Sequence, residues 1–477
     1  MGDFRIEGDL LGEMKVPASA YYGIHTQRAL RNFPVSSFPV PRELIVALAE
    51  VKEACAVANM RAGLLDLKRG EAIVAAAKEV AGGALADQFM VDALQGGAGT
   101  STNMNVNEVL ANRAIEILGG QKGDYGIVDP LGHVNLSQST NDVYPTAVKV
   151  AAVRLVIVLS ETIARLQGAL QKKEQEFAGI LKLGRTEMQD AVPITLGQEF
   201  GAFAEAFARD RWRLFKVEER LRQVNLGGTA VGTGLNAKRE YIYAAIDALQ
   251  DITGLNVARA ENMVDVTQNA DVFAEVSGLV KAAAVNLAKV SSDMRLMSMG
   301  PRGGLAEIRL PALQEGSSIM PDKVNPVITE MATGVAFQVM SLDHAITLSA
   351  ASGQFELNAF LPLIAFNLLT ELKLLANAVS IFRTHLVEGI EADEERCRRW
   401  LEESLCLATA LAPYIGHERA GELSKAAREE GKTIGEAAVE RGLFSEEEIE
   451  AIFQARELTR PGVAGSKKVK KSKEGQT

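Results

Sequence analysis

Proline spacing constrains this chain more than any other feature. None of its 14 prolines falls between Pro145 and Pro193, between Pro193 and Pro301, or between Pro326 and Pro362. Proline interrupts helix interiors because it lacks an N–H and its ring strikes the preceding turn, so these gaps permit helices of unusual length. The apolar pattern fills them. Val148, Ala151, Leu155, Leu159, Ile163, Leu166 and Leu170 step by three or four residues, the mark of one helical face. Segments near 195–224, 266–299, 327–351 and 363–388 read the same way. Val280 to Val290 and Leu363 to Leu375 are apolar on more than one side, so other helices must surround them. Helices of ~25–35 residues span about 40–50 Å, longer than one small domain needs. Only 5% of the residues are aromatic, which leaves Ala, Leu and Val to fill the core, a choice suited to close helix packing.

The expected fold is therefore all-α, with a long central helical bundle extended by subunit association. The competing reading is a set of ordinary shorter helices with unmarked breaks. Along the chain we expect a mixed, mostly helical N-terminal domain over 1–140 and the long-helix bundle over 141–390. A small helical domain over 391–460 and a basic, disordered tail over 461–477 follow. Arg5 to Leu10 reads as a strand. Thr433–Arg441 and Ser445–Phe453 read as short amphipathic helices, with Ser445 an N-cap and Glu448 placed to complete a capping box.

The net charge of −10 argues against a nucleic-acid partner, which needs a basic face to displace counterions. The basic run Lys467–Lys473 follows Pro461-Gly462 and lacks apolar periodicity, so it reads as solvated. Cys55, Cys397 and Cys406 form no CxxC and no disulfide framework, which fits a reducing cytoplasm. With five scattered histidines they give no metal cluster. The N-terminus has no apolar h-region, and the apolar stretch Ala151–Leu159 is interrupted by Arg154 and too short to span a bilayer. A soluble cytoplasmic protein without membrane contact is expected.

Four segments break the apolar periodicity with dense small polar residues: Gly96–Glu108, His133–Asp142, Gly184–Asp190 and Gly316–Pro326. Each alone reads as turns and helix caps. Together they supply many hydroxyl and amide donors with few aromatic or metal-binding groups, a set suited to a small, doubly charged carboxylate. Gly96–Gly99 is not a phosphate loop, because no Lys-Ser/Thr follows it, and no cofactor is expected. The fourth segment sets Ser317 and Ser318 between Gly316 and a Met-Pro turn, with Lys323 and Asn325 just beyond. A loop of this kind can close over a ligand and exclude water.

Gly-Ser-Ser-Ile-Met-Pro-Asp-Lys-Val-Asn-Pro at 316–326 resembles the signature of the aspartase/fumarase superfamily. The other three segments resemble that superfamily's characteristic regions in order and spacing. The similarity runs from Tyr21-Tyr22-Gly23-Ile24-His25-Thr26 to beyond Gly431. Leu136 stands where the fumarase-like form usually has Lys, and Glu187 where it usually has His. Arg5-Ile6-Glu7 to Leu11-Gly12-Glu13 and Leu310–Gln314 look like the ammonia-lyase branch.

The resemblance implies a three-domain subunit in a homotetramer, with each active site built from three subunits. It implies a dicarboxylate substrate, and Ser317 as the base that removes the Cβ proton of aspartate on the way to fumarate and ammonia. Taking a proton beside a carboxylate creates a doubly charged aci-carboxylate, so stabilising that charge is the main task. Thr100, Ser139, Thr140 and Ser318 would donate hydroxyls to it. Lys323 and Asn325 would hold the other carboxylate, and Thr186 and Asn141 would orient the α-carboxylate or amine end. Serine must be activated to act as a base; loop N–H groups after Gly316 and the Lys323 charge are the expected means.

Three positions need separate treatment. Glu187 replaces a His or Gln; beside the site it would pair with the substrate ammonium and favour an amino acid over a hydroxy acid, and turned to solvent it would do neither. Asp322 stands where Gly is usual. His133 reads as a hydrogen-bonded histidine at a helix start, without a catalytic part. Two other functions compete: a fumarase-type hydratase with the same fold and base, and a helical scaffold that has lost catalysis.

Overall fold

The computed structural model describes residues 3–469. β1 (Phe4–Asp9) and β2 (Gly12–Pro17) form an antiparallel hairpin where the strand was expected. Next come α1 (Ile24–Asn32), α2 (Arg42–Arg61), α3 (Leu67–Ala81), α4 (Thr100–Ile117) and α5 (Thr140–Glu176). The hairpin β3 (Leu181–Thr186) and β4 (Gln189–Thr195) leads into α6 (Leu196–Leu221). β5 (Gln223–Val224), α7 (Arg239–Thr253), β6 (Ala258–Arg259), α8 (Met263–Gln268) and α9 (Asp271–Met297) follow. After β7 (Ile308–Arg309), α10 (Val327–Ala350) and α11 (Leu361–His385), β8 (Glu391–Ala392) pairs back with β7. Six short helices end the described chain: α12 (Glu394–Glu402), α13 (Ala408–Ile415), α14 (His417–Glu430), α15 (Ile434–Glu440), α16 (Glu446–Ile452) and α17 (Ala455–Leu458).

The fold is mainly helical, and α6, α9, α10 and α11 occupy the segments that the apolar period marks. The expected capping box of Ser445 with Glu448 forms, and the structure adds a second, Thr433 with Glu436. One difference is instructive. α5 is 37 residues long and contains Pro145, where a helix beginning after that proline was expected. Proline at 145 strips the carbonyl of residue 141 of its helical N–H partner. Here the Asn225 side chain donates to Asn141 O at 2.9 Å, so the carbonyl is satisfied and the helix starts earlier.

The chain forms two compact units that interleave along the sequence, where three consecutive ranges were expected. The first comprises the residues up to Glu161, Asp210–Val285 and Val335–Asn377; the second comprises Thr162–Arg209, Asn286–Gly334 and the chain from Ala378. A long helix contributes to both, because the division passes through α5, α6, α9, α10 and α11.

Within the first unit, α2 packs against α3 and α7, and α4 against α1 and α3. Glu108, in the first polar segment, serves the fold. Its carboxylate accepts from Gly23 N (2.8 Å), His25 N (2.8 Å), Thr26 N (3.1 Å) and Thr26 Oγ1 (2.7 Å), which ties α4 to the N-terminus of α1. An anion there meets otherwise unpaired N–H groups. α11 is apolar and long enough to cross a membrane by composition alone, which Ala151–Leu159 was judged too short to do; most of it is buried in the fold.

The second unit has a core of Leu183, Leu407, Leu411, Tyr414, Leu423, Ile434, Ile452 and Val469. The expected tail therefore does not begin at 461. Val469 is buried, Gly465 N donates to Glu457, and Tyr414 donates to Ala464 O. A Cβ at Gly465 would lie 2.7 Å from Ile452, so glycine allows the chain to fold back onto α16. The remainder of the basic run, 470–477, lies outside the described residues.

Candidate active site

The first two polar segments meet in the first unit. Gly97, Ala98 and Gly99 all take positive φ, and a Cβ at Gly99 would lie 2.6 Å from the ring of buried Tyr144. This tight turn delivers Thr100, exposed, at the first position of α4. Ser139 accepts from Asn141 N at 3.2 Å, and Asp142 accepts from Ser139 N at 3.0 Å, a reciprocal cap at the start of α5. Ser139 accepts through its oxygen and so keeps its own O–H to donate. The same holds for Thr140, whose Oγ1 accepts from Asn103 Nδ2 at 3.0 Å. Asn141 donates its side-chain amide to Ala230 O at 2.8 Å.

Behind these groups lies a network that sequence reasoning missed. Lys52 of α2 is fully buried and donates to Asn135 Oδ1 and Gln138 Oε1, both at 2.8 Å. Asn135 Oδ1 also accepts from Asn103 (3.3 Å) and Asn107 (3.2 Å). A cation that can only donate thus fixes the orientation of Asn135. Asn103 must then present its amide nitrogen to both Asn135 and Thr140, and the Thr140 hydrogen is left free for a ligand. Burial pushes the Lys52 ammonium down to about 7 and the Asp142 carboxyl up to about 7. The available signals were a lone Lys in the Ala- and Val-rich face of α2, and Asn103 and Asn107 four residues apart on α4. His133 accepts from Asp129 N at 2.8 Å through Nδ1, and burial lowers its pKa.

The other two segments belong to the second unit. Thr186 and Glu187 are exposed at the tip of the β3–β4 hairpin, where Thr186 pairs with Gln189. The two turn residues, Glu187 and Met188, both take positive φ (53° and 61°). Such two-residue turns ordinarily use Asn-Gly, so this tip holds side chains at a backbone cost.

The Gly316–Pro326 loop is closed at its neck: Gly316 N donates to Lys323 O at 2.7 Å, and Asn325 Nδ2 donates to Gly316 O at 2.8 Å. A Cβ at Gly316 would lie 2.6 Å from Lys323 O and 2.8 Å from Asn325 N, backbone atoms that cannot yield, so only glycine fits. Asp322, at φ 67°, takes the left-handed conformation that explains why glycine suits this position; Asp tolerates it better than most residues. Inside the loop, Ser317 Oγ accepts from Ile319 N at 3.2 Å and Met320 N at 3.0 Å. Two N–H groups aimed at one hydroxyl oxygen favour its negative form. Ser317, Ser318 and Lys323 line a groove of ≈ 620 Å³.

The structure thus gathers Thr100, Ser139, Thr140 and Asn141 at helix starts in the first unit. It gathers Ser317, Ser318, Lys323 and Asn325 in one loop of the second, which also carries Thr186 and Glu187 on a hairpin tip. Ala98, Ser137, Glu187, Met188 and Asp322 put a non-glycine residue at positive φ in each of the four segments. Strain of this kind concentrates at functional sites. Among the described residues, no three His, Cys, Asp or Glu side chains group as metal ligands.

Comparison with known proteins identifies the family. A family described as "Lyase" matches residues 12–341, and one described as "Fumarase C C-terminus" matches 407–460. An aspartate ammonia-lyase from a Bacillus species is 48% identical over 98% of this chain and 99% of its own length. That of Bacillus subtilis (strain 168) is 46% identical with the same coverage. Among solved structures, a Brucella melitensis protein described as a fumarate lyase:delta crystallin bound to cobalt is 48% identical. It superposes with a TM-score of 0.91 over 94% of this chain and 98% of that one. A class II fumarase from Schistosoma mansoni superposes at 0.92 with 34% identity, over 96% of this chain and 100% of that one. Matches of this length, spanning the four polar segments, are not shared by chance: the chain belongs to the aspartase/fumarase superfamily of lyases.

Proposed function

We propose that this chain is an aspartate ammonia-lyase, converting L-aspartate reversibly to fumarate and ammonia. Ser317 Oγ, as an alkoxide held by Ile319 N and Met320 N, takes the Cβ proton. The electron pair moves into the neighbouring carboxylate, giving the aci-carboxylate, and returns to form the Cα–Cβ double bond as the Cα–N bond breaks. Thr100, Ser139, Thr140 and Ser318 donate hydroxyls to the doubly charged group. Lys323 and Asn325 hold the other carboxylate, Thr186 and Asn141 orient the amine end, and Glu187 pairs with the ammonium.

The observation that carries this reading is the closed loop with two backbone N–H groups on Ser317 Oγ. The relatives named aspartate ammonia-lyase, matched over nearly the whole chain, support the choice of substrate. We further propose a cytoplasmic homotetramer whose sites combine residues from neighbouring subunits. Supporting the assembly, Trp212 and Phe215 of α6 and Phe337 and Leu348 of α10 are each more than half exposed. Supporting the compartment, the three cysteines are free thiols.

Absorbance at the fumarate band, followed with L-aspartate and with L-malate, tests the function. Fumarate from aspartate and little from malate is the expected result. The reverse preference would make the chain a hydratase, and fumarate from neither would make it a scaffold.

A further inference from the structure

The β3–β4 tip that carries Thr186 and Glu187 is exposed, and its turn is unfavourable. What holds it lies one residue back. Arg185 Nη1 donates to Glu307 Oε1 at 2.8 Å. Lys182 Nζ lies 3.1 Å from Glu307 Oε2 and donates to Glu199 Oε1 and Oε2 at 3.0 and 2.9 Å. Glu307 is fully buried and Lys182 is 1% exposed. Two cations and two carboxylates compensate one another, the condition under which charge persists away from water.

The backbone of Glu307 is bonded on both sides. Its N–H donates to Met297 O at 2.8 Å and its carbonyl accepts from Asp393 N at 2.9 Å. From it the chain runs through β7 into the Ser317 loop. On the other side of the contact, side chains three apart on a regular strand point to opposite faces, yet Lys182 and Arg185 both reach one carboxylate. The β3–β4 register slips between Leu183 and Arg185, and such irregularities add local twist. At that slip a Cβ on Gly184 would lie 2.5 Å from Val192 O, so glycine is required.

We propose that Glu307 is a positioning residue for the reaction: through Arg185 it fixes the Thr186–Met188 tip against the segment that leads into the Ser317 loop, and so sets affinity for the substrate end that the tip meets. This rests on the functional reading above. Without the Glu307 charge, Arg185 keeps only a neutral acceptor there and Leu183 O at 3.5 Å, whereas Lys182 keeps the Glu199 carboxylate. The two cations therefore respond differently, and that difference is testable.

In the full-length protein, Glu307→Gln is expected to raise KM for L-aspartate about tenfold or more, with a smaller fall in kcat, and to speed amide exchange at Thr186–Gln189 by a similar factor. Arg185→Gln is expected to do the same, and the double variant to be no worse than the worse single, because both remove one interaction. Lys182→Met, which removes the second cation from Glu307 Oε2, is expected to lower the melting temperature and to raise KM by less than Arg185→Gln does, because Glu307 keeps Arg185. Unchanged KM and tip exchange in Glu307→Gln, or multiplying effects in the double variant, would overturn the proposal. Should Glu307→Gln not fold, Arg185→Gln replaces it, and wild-type KM and exchange there would overturn it equally. If the wild-type protein forms no fumarate from aspartate, the functional reading fails and tip exchange alone decides: faster exchange supports the clamp, unchanged exchange overturns it.

Discussion

The proposed chemistry rests on one oxygen, that of Ser317. A serine hydroxyl is a poor base until its anion is stabilised, and here Ile319 N and Met320 N supply that stabilisation from the loop's own backbone. Ser317→Ala should therefore lower kcat by about 10²–10⁴-fold, the range for a lost general base, with the circular dichroism spectrum unchanged; near-normal turnover would remove Ser317 from the mechanism. Glu187 is the second residue to test. It is exposed on a strained tip, where it can meet a ligand's ammonium. Glu187→Gln should lower the ratio of aspartate to malate turnover, and an unchanged ratio would leave Glu187 a solvent-facing residue. The Gly316–Pro326 loop itself was legible from the motif, because it is local and its neck is set by Gly316. The orientation of Glu187 was not, since a strand-to-strand turn gives no periodic signal.

At the scale of elements, the proline gaps foretold α6, α9, α10 and α11 because periodic burial and the absence of breakers act along the chain. The start of α5 was hidden for the opposite reason: Pro145 is tolerated only because Asn225, far along the chain, caps Asn141 O. The Lys52 network was hidden in the same way, since its partners come from α4 and from the segment before α5. Its electrostatics are accessible to experiment. Burial holds the Lys52 ammonium down to about 7. A lysine whose folded value lies below its unfolded one contributes stability that is full above the unfolded value and lost as pH falls through the folded one. Lys52→Met removes that dependence. As pH is lowered from about 10 to about 7, the wild-type melting temperature should fall relative to that of Lys52→Met by a few °C, on the order expected for ~4 kcal/mol in a chain of this size; parallel curves would contradict the assigned burial.

At the scale of the molecule, α6 and α10 present Trp212, Phe215, Phe337 and Leu348 on segments of the first unit. Exposed apolar side chains of this size support the proposed association. Sedimentation should give a particle of four times the 51.2 kDa chain. The pair Phe215→Glu and Phe337→Glu should yield monomers that lose activity with assembly; active monomers would show that one chain completes its own site. The tetramer stands as a proposal, because all-round apolar helices announce burial without saying which chain provides the cover. The most direct measurement is the simultaneous release of ammonia and fumarate from L-aspartate by the purified wild-type protein. Equimolar release of both products is the predicted result, and fumarate without ammonia, or neither, would contradict it.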